Sequence, residues 1–176
     1  MPEIVKVYKQ SIPAVKFIGR KYGEDDRVNG SFASQWQQWI EQRLFDPIEQ
    51  AAGGIDACKQ LMEDGEAALG FMRYKEGEPF QYWIGMFTPP DTEVPETYDF
   101  IMIQPTEAGI CWLKGKEPDI YAKEDRCMAK LAEEGMQIHR NKEGAMLFFE
   151  RYAMPRFDER DEQGNIILDI GFILHQ

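Results

Sequence analysis

The chain has 176 residues, a length that suits one domain or two small fused halves. Its formal net charge of −11, from 31 acidic and 20 basic residues, excludes the basic surface that a phosphate backbone requires. Three scattered cysteines and two histidines exclude a disulfide framework and disfavour a zinc or His/Cys metal cluster, so we expect no metal and no other cofactor.

The sequence carries no targeting or membrane signal. No apolar stretch approaches the length of about 20 residues that a transmembrane helix needs. The opening residues, MPEIVKVYKQ, lack the apolar region of a signal peptide. An odd number of thiols suits a reducing compartment. These features predict a cytoplasmic protein that binds neither membranes nor nucleic acid directly.

The first half of the chain predicts two strands, one helix and two further strands, at residues 4–10, 15–22, 32–51, 68–75 and 80–88. Apolar residues at helical spacing, among them Trp36 and Trp39, define the helix. Ser31 is its expected N-cap, and Pro47 is expected to kink the helix or to end it early.

A proline-rich, acidic stretch at residues 88–97 is typical of a connector between two halves. The second half then repeats the order of elements, at residues 98–104, 110–114, 118–134, 145–152 and 165–174. Each half is therefore expected to form a β-β-α-β-β module, with one hairpin before its helix and one after it.

Two short segments indicate that the halves are related copies. FMRY at residues 71–74 is followed by YWIGM, and FERY at residues 149–152 is followed by LDIGF. In this match Met72 of the first copy corresponds to Glu150 of the second. A carboxylate within an apolar, aromatic strand needs an explanation, because burying even a neutral polar group without a partner costs about 2–7 kcal/mol.

Neither module can bury its sheet face alone. Pairing of the copies, at about residues 1–88 and 97–176, would solve that problem and leave a cleft where the halves meet. We therefore predict an α+β fold in which residues 1–176 form one domain with pseudo-two-fold symmetry.

The chain resembles the GyrI-like small-molecule-binding family, the effector-binding domains of some bacterial multidrug-responsive transcription activators. The resemblance covers nearly the whole chain and is carried by VKVYKQSIPAVKFIGRKYG, YWIGMFTPP and FFERYAMPRFDERDEQGNIILDIGFIL. It implies a duplicated module with a curved antiparallel sheet and a central pocket. Because the module begins at residue 4, a stand-alone member without a DNA-reading domain is expected.

The resemblance also implies a site. In the family, a glutamate on the penultimate strand lies at the pocket floor and meets cationic or polar parts of lipophilic ligands. By motif this position is Glu150, and the accompanying tyrosine is Tyr152. Some relatives hydrolyse strained cyclopropane rings of DNA-alkylating natural products, and others bind or antagonise DNA gyrase.

The residues support Glu150 independently. Strand alternation places Met146, Phe148, Glu150 and Tyr152 on one face, where burial raises the pKa of a carboxyl group and a nearby cation lowers it. The alternative is a surface ion pair of Glu150 with Arg151 or Arg73. Tyr152 offers a hydrogen bond to a ligand or is an ordinary half-buried strand tyrosine.

Further candidates for the pocket wall are aromatic or apolar: Tyr8, Trp39, Phe71, Met72, Trp83, Trp112 and Phe148. Trp36 and Trp39 favour packing of the helix on the sheet, with one of them as a pocket wall as the alternative. On the strand at 80–88, alternation separates Tyr82 from Trp83, and the sequence does not decide which face meets the cleft.

Two other charged features have alternative interpretations. Asp169 interrupts an apolar strand and is expected to point outward from an edge strand, with a second pocket carboxylate as the alternative. The loop at residues 156–162 is expected to be a solvated hairpin that is long enough to act as a lid.

Three functions remain open. The first is a binding protein that sequesters or senses lipophilic small molecules, cationic or planar aromatic. The second is a hydrolase of cyclopropane-containing natural products, in which Glu150 activates water. The third is an antagonist of a protein partner, gyrase or a regulator, motivated by the net charge of −11.

Overall fold

The structure, a computed structural model, describes residues 1–174. Its strands are β1 (Glu3–Ile12), β2 (Val15–Tyr22), β3 (Ala68–Tyr74), β4 (Gln81–Thr88), β5 (Asp99–Ile103), β6 (Thr106–Gly115), β7 (Met146–Tyr152) and β8 (Ile166–Ile173). Its α-helices are α1 (Ala33–Glu41), α2 (Asp46–Ala51), α3 (Ile55–Lys59) and α4 (Glu124–Glu133). No helix among these residues is long and apolar enough to cross a membrane.

All eight strands form one curved antiparallel sheet in the order β1-β6-β8-β7-β3-β4-β2-β5. The predicted α+β class and antiparallel sheet are confirmed. The predicted hairpin of the first two strands is wrong, because β1 pairs with β6 and β2 pairs with β5. The opening strand of each half thus crosses to the other half. Together with the central β3–β7 ladder, three ladders join the two copies.

The register of the sheet changes how the two copies correspond. Phe71 lies opposite Phe149 at the centre, and Gly70 lies opposite Glu150. Gly70 also faces Ile84 on β4, and Glu150 faces Ile170 on β8. With the two Ile-Gly pairs superposed, the counterpart of Glu150 is therefore Gly70 and not Met72.

Both faces of the sheet are buried, which explains why β4, β7 and β8 read as nearly continuous apolar runs. One face carries Tyr82, Ile84, Met86 and Phe148 and is covered by the helices. The opposite face carries an aromatic cluster of Phe17, Phe71, Phe87 and Phe149, in which the rings of Phe17 and Phe71 lie 4.9 Å apart. The strand alternation expected from the sequence separates these two sets.

The repeated Ile-Gly pairs have a packing reason on this second face. A Cβ atom at Gly171 would lie 2.5 Å from Cε2 of Phe149, and one at Gly85 would lie 2.8 Å from Cζ of Phe17. Both distances are far below van der Waals contact. Each glycine therefore leaves the space that an aromatic ring from a neighbouring strand fills.

Both predicted helices are shorter than expected. The helix predicted at 32–51 breaks after Glu41, Arg43 adopts a positive φ of 53°, and α2 restarts with Pro47 in its first turn. The N-cap of α1 is Phe32 rather than Ser31. The helix predicted at 118–134 begins only at Glu124, because residues 117–120 form a turn and the bend that follows includes Ala122, whose φ is 58°.

We predict that Gly171→Ala destabilises the protein by about 1–3 kcal/mol, because the added methyl group overpacks the Phe149 ring. Urea denaturation followed by tryptophan fluorescence measures the change. Gly23→Ala is the matched control, since a Cβ there meets nothing within 4 Å and the φ of −119° suits alanine. Equal unfolding midpoints for the two variants would contradict the packing role of Gly171.

Candidate functional site

A cavity of about 1260 Å³ lies on the helix-covered face of the sheet. Residues of β3, β4 and β7 form its floor, and α1 and the segment that leads into α4 form its walls. Aromatic side chains dominate the lining: Phe32, Trp36, Phe45, Phe80, Tyr82, Tyr121, Phe148, Tyr152 and Phe157. Such a lining suits a flat or bulky apolar ligand.

Glu150 lies at the floor of this cavity, with only 7% of its surface exposed. The Tyr82 hydroxyl donates a hydrogen bond of 2.5 Å to its Oε1. The indole N–H of Trp36 donates in turn to the Tyr82 oxygen, at 2.8 Å. The Phe32 ring stacks on the Tyr82 ring with centroids 4.2 Å apart, which fixes that tyrosine further. The carboxylate is thus held in place by neutral donors.

Gly70 provides the space for this arrangement. A Cβ atom there would lie 2.6 Å from Oε1 of Glu150 and closer still to the Tyr82 hydroxyl. Since Gly70 pairs with Glu150 across the central ladder, the missing side chain of one copy makes room for the carboxylate of the other.

The environment changes the acidity of the site. Burial raises the pKa of Glu150 to about 7, the negative charge of Glu124 also raises it, and the hydroxyls of Tyr82 and Tyr152 lower it. Burial and then the Glu150 charge raise the pKa of both tyrosines well above its ordinary value, so their hydroxyls remain donors. Within residues 1–174 no Lys or Arg forms an ion pair with Glu150.

The rest of the lining is also acidic. Besides Glu150 it includes Glu41, Glu66, Glu117, Glu124 and Asp125. The basic residue of the lining is Arg27, whose charge is neutralised by Glu24 at 2.7 Å. The cavity therefore offers an apolar aromatic surface with an excess of negative charge, which complements a lipophilic cation.

Four of the residues predicted from the sequence line this cavity: Met72, Phe148, Glu150 and Tyr152. The cavity also brings in residues that sequence reasoning did not select, among them Tyr82, Tyr121 and Glu124. Strand alternation places Tyr82 on one face with Ile84 and Met86, but it does not tell which face of the strand meets the cavity. Of the two helix tryptophans, Trp36 is the one that forms a wall.

Five predicted wall residues do not line the cavity: Tyr8, Trp39, Phe71, Trp83 and Trp112. Trp39 is fully buried in the core between helix and sheet, where its indole N–H donates to the Tyr22 hydroxyl at 2.8 Å. The other four belong to the opposite face of the sheet. Phe71 and Trp83 are direct neighbours of Met72 and Tyr82 along their strands, and alternation turns neighbours to opposite faces.

The opposite face of the sheet holds the two other charged residues of β7 and β8, Arg151 and Asp169. Arg151 is 2% exposed and donates from Nε to Oδ2 of Asp169 at 2.8 Å, while Asp169 is fully buried. The alternative Glu150–Arg151 ion pair is therefore wrong, because adjacent strand residues point to opposite faces. The outward orientation expected for Asp169 is also wrong, because β8 lies inside the sheet between β6 and β7. Arg73 instead pairs with Glu78 and Glu143.

The same ion cluster fixes the start of the predicted lid. Arg156 binds both Asp169 and Asp64, the latter from Nη2 at 2.7 Å. Tyr8 accepts hydrogen bonds from Arg151 and Trp112 in this cluster. Phe157, the next residue of the loop, lines the cavity and meets the Tyr152 ring at 4.7 Å. The loop at 156–162 thus begins as a fixed part of the cavity wall.

Comparisons with known proteins place the fold. No protein-family model and no curated protein matches the chain. The chain is similar in structure to a candidate bacterial transcription regulation protein from Staphylococcus aureus MU50, with a TM-score of 0.60, 15% identity, and coverage of 97% of this chain and 99% of that one. It is also similar to SAV2435 bound to tetraphenylphosphonium, with a TM-score of 0.59, 16% identity, and coverage of 97% and 94%. The chain shares the fold of these proteins.

We predict that Glu150→Gln stabilises the protein at alkaline pH and not at acidic pH. The folded-state pKa of about 7 exceeds the ordinary 4.5, so the wild type loses stability relative to the variant as pH rises through this interval. Above pH 7 the difference reaches about 3 kcal/mol as an upper estimate. The amide of the variant keeps an oxygen that accepts from Tyr82. The groups facing Glu150 are Tyr82, Tyr152, Tyr121 and Glu124.

Urea denaturation of both proteins at pH values below and above this interval measures the difference. Glu162→Gln, at an exposed loop position, is the control for the loss of one acidic group. A variant that is equally stable relative to wild type at both pH values would contradict the raised pKa.

Proposed function

We propose that this protein binds lipophilic organic cations, in the manner of GyrI-like effector-binding domains, and serves to sequester or sense them. The observation that carries the proposal is Glu150, a buried carboxylate without a cationic partner among the described residues, at the floor of an aromatic cavity. The tetraphenylphosphonium bound to SAV2435, a protein of the same fold, supports the choice of ligand class. A cytoplasmic location and a protein partner remain predictions.

A bound cation would supply a positive charge beside Glu150, where the described residues provide none. It would restore the charge balance of Glu150, whose ionised form is disfavoured by burial. With a pKa of about 7, the carboxyl group is ionised in roughly half of the molecules at neutral pH, so ionising the remainder costs little. Each aromatic ring that faces the cation adds about 0.5–2 kcal/mol. Apolar surface removed from water adds about 25 cal/mol per Å².

Each side chain has a separate role in this proposal. Glu150 supplies the charge that distinguishes cations from neutral compounds. Tyr82 holds the carboxylate in place, and Tyr152 lies beside it as a further hydroxyl donor. The rings of Trp36, on α1, and Phe157, in the loop after β7, meet the Tyr152 ring edge-on, with centroids 4.7 Å apart in each pair. These rings would contact the ligand.

We predict that Glu150→Gln lowers the affinity for tetraphenylphosphonium about tenfold or more, a loss of at least about 1.4 kcal/mol, because an ion–ion contact becomes an ion–dipole contact. Triphenylphosphine oxide is the matched neutral probe and should bind both proteins equally. Isothermal titration calorimetry measures both ligands. Wild-type affinity for the cation should rise with pH up to about 7 and then level off, whereas the variant should show no such rise.

Two controls keep this test specific. Glu162→Gln removes one exposed acidic group and the same amount of net charge, and it should leave the affinity unchanged. Unfolding curves establish that Glu150→Gln is folded. Unchanged affinity of Glu150→Gln for the cation would remove the proposal.

A second function is favoured by one observation: the pKa of Glu150 lies near the working pH, as a general base requires, and two tyrosine hydroxyls lie beside it. In cyclopropane hydrolysis, Glu150 would take a proton from water while the water oxygen bonds to a ring carbon. The electron pair of the breaking C–C bond would pass to a conjugated carbonyl, which takes a proton from a tyrosine hydroxyl. Proton return from Glu150 to the tyrosine completes a net addition of water.

Mass spectrometry separates the two functions. Incubation with a cyclopropane-containing alkylating compound should yield a product heavier by one water if the protein is a hydrolase. A pure binding protein returns the compound intact, and Glu150→Gln should abolish any product formed by the wild type.

A further inference from the structure

The cavity lining contains acidic groups besides Glu150 to which the proposed function gives no separate role. Glu124, the first residue of α4, is half-buried, lines the cavity, and has no hydrogen bond or ion pair among the described residues. It also lies close enough to Glu150 for its charge to act on that carboxyl group. The start of a helix favours an acidic side chain, because the helix dipole is positive there.

Three other acidic groups of the lining differ from Glu124. Glu117 is occupied, since it accepts from the Tyr121 hydroxyl at 2.8 Å and pairs with Arg160 at 3.1 Å. Glu41 accepts from Gln37 at 2.8 Å. Asp125 is exposed to solvent. Glu66 is half-buried and, like Glu124, has no hydrogen bond or ion pair among the described residues. It is the charge of Glu124, however, that acts on Glu150. Glu124 is therefore the carboxylate on the α4 wall that lacks a side-chain partner and lies near Glu150.

We infer that the cavity selects ligands with two cationic centres joined by an apolar linker, one centre bound by Glu150 and the other by Glu124. This inference rests on the proposed function. Glu150 is 7% exposed and Glu124 is half-buried, so the first centre lies deep and the second lies nearer to solvent. Bis-quaternary ammonium and bis-phosphonium compounds have this chemistry.

Charge and size both support a ligand of this kind. A single cation at Glu150 leaves the charge of Glu124 without a partner, whereas a tethered second cation meets it at a high effective concentration. The cavity of about 1260 Å³ exceeds the range of about 300–1,000 Å³ that is typical of small-molecule sites. The aromatic rings of the lining provide an apolar surface for the linker.

Matched ligands test the inference. Alkyltrimethylammonium and bis(trimethylammonium)alkane compounds of equal chain length are titrated calorimetrically, over a series of lengths, at a pH above the Glu150 pKa of about 7. We expect the best dication to bind the wild type about tenfold more tightly than its monocation. In Glu124→Gln the ratio of dication affinity to monocation affinity should fall from about ten to about one. In Glu150→Gln both ligands should bind more weakly.

Glu133→Gln, on the same helix but outside the cavity, separates a local contact from general surface charge. It should retain the dication advantage. A monocation that binds the wild type as tightly as its dication would overturn the inference and leave the proposed function intact. The same conclusion follows if Glu133→Gln loses the advantage as fully as Glu124→Gln does. If neither compound binds the wild type while tetraphenylphosphonium does, the inference fails and the proposed function stands. If tetraphenylphosphonium does not bind either, both proposals fail.

Discussion

The hydrogen bond between the Tyr82 hydroxyl and Glu150 is the contact on which the candidate site depends. A carboxylate at this depth is costly unless its oxygens have donors. Here the donor is a tyrosine that Trp36 fixes by a hydrogen bond and Phe32 by stacking. All of these groups are neutral. Glu150 therefore has a hydrogen-bond donor but no cation among the described residues that balances its negative charge. This difference is what makes the cavity suitable for a cation.

The strand pleat keeps that charge uncompensated. Arg151 follows Glu150 directly in the chain, yet it points to the opposite face, where it forms an ion pair with Asp169. Arg156 reinforces the same ion cluster, together with Asp64. The closing segment therefore carries two arginines close to Glu150 in sequence, and the sheet separates both from it. A slip of one residue in the register of β7 would exchange the two faces and place the arginine in the cavity.

The sequence predicts the eight strands well because their β-branched and aromatic runs are bounded by glycine, proline and charged turns. It also identifies Glu150, since an acid among aromatic residues is conspicuous. It cannot choose the cavity face, because both faces of the sheet are buried and Trp83 is as apolar as Tyr82. The predicted outward orientation of Asp169 is wrong for a related reason. Whether β8 is an edge strand or an interior strand depends on long-range pairing, in which β6 lies between β8 and β1. The start of the second predicted helix, at residue 118, is wrong because local turns before Glu124 override the apolar periodicity.

The register of the central ladder explains why the duplicated fold has a single deep acid at this point. Gly70 and Glu150 are both counterparts in the two copies and partners across β3 and β7, so they lie at the pseudo-two-fold axis. The space in front of Gly70 is occupied by the Glu150 carboxylate and the Tyr82 hydroxyl, so a second side chain at this position would overlap both groups. A symmetric pair of carboxylates there would overlap and repel, and a symmetric pair of glycines would leave no charge. One glycine with one glutamate is the arrangement that packs, and it restricts the floor of the cavity to one buried anionic group for each chain.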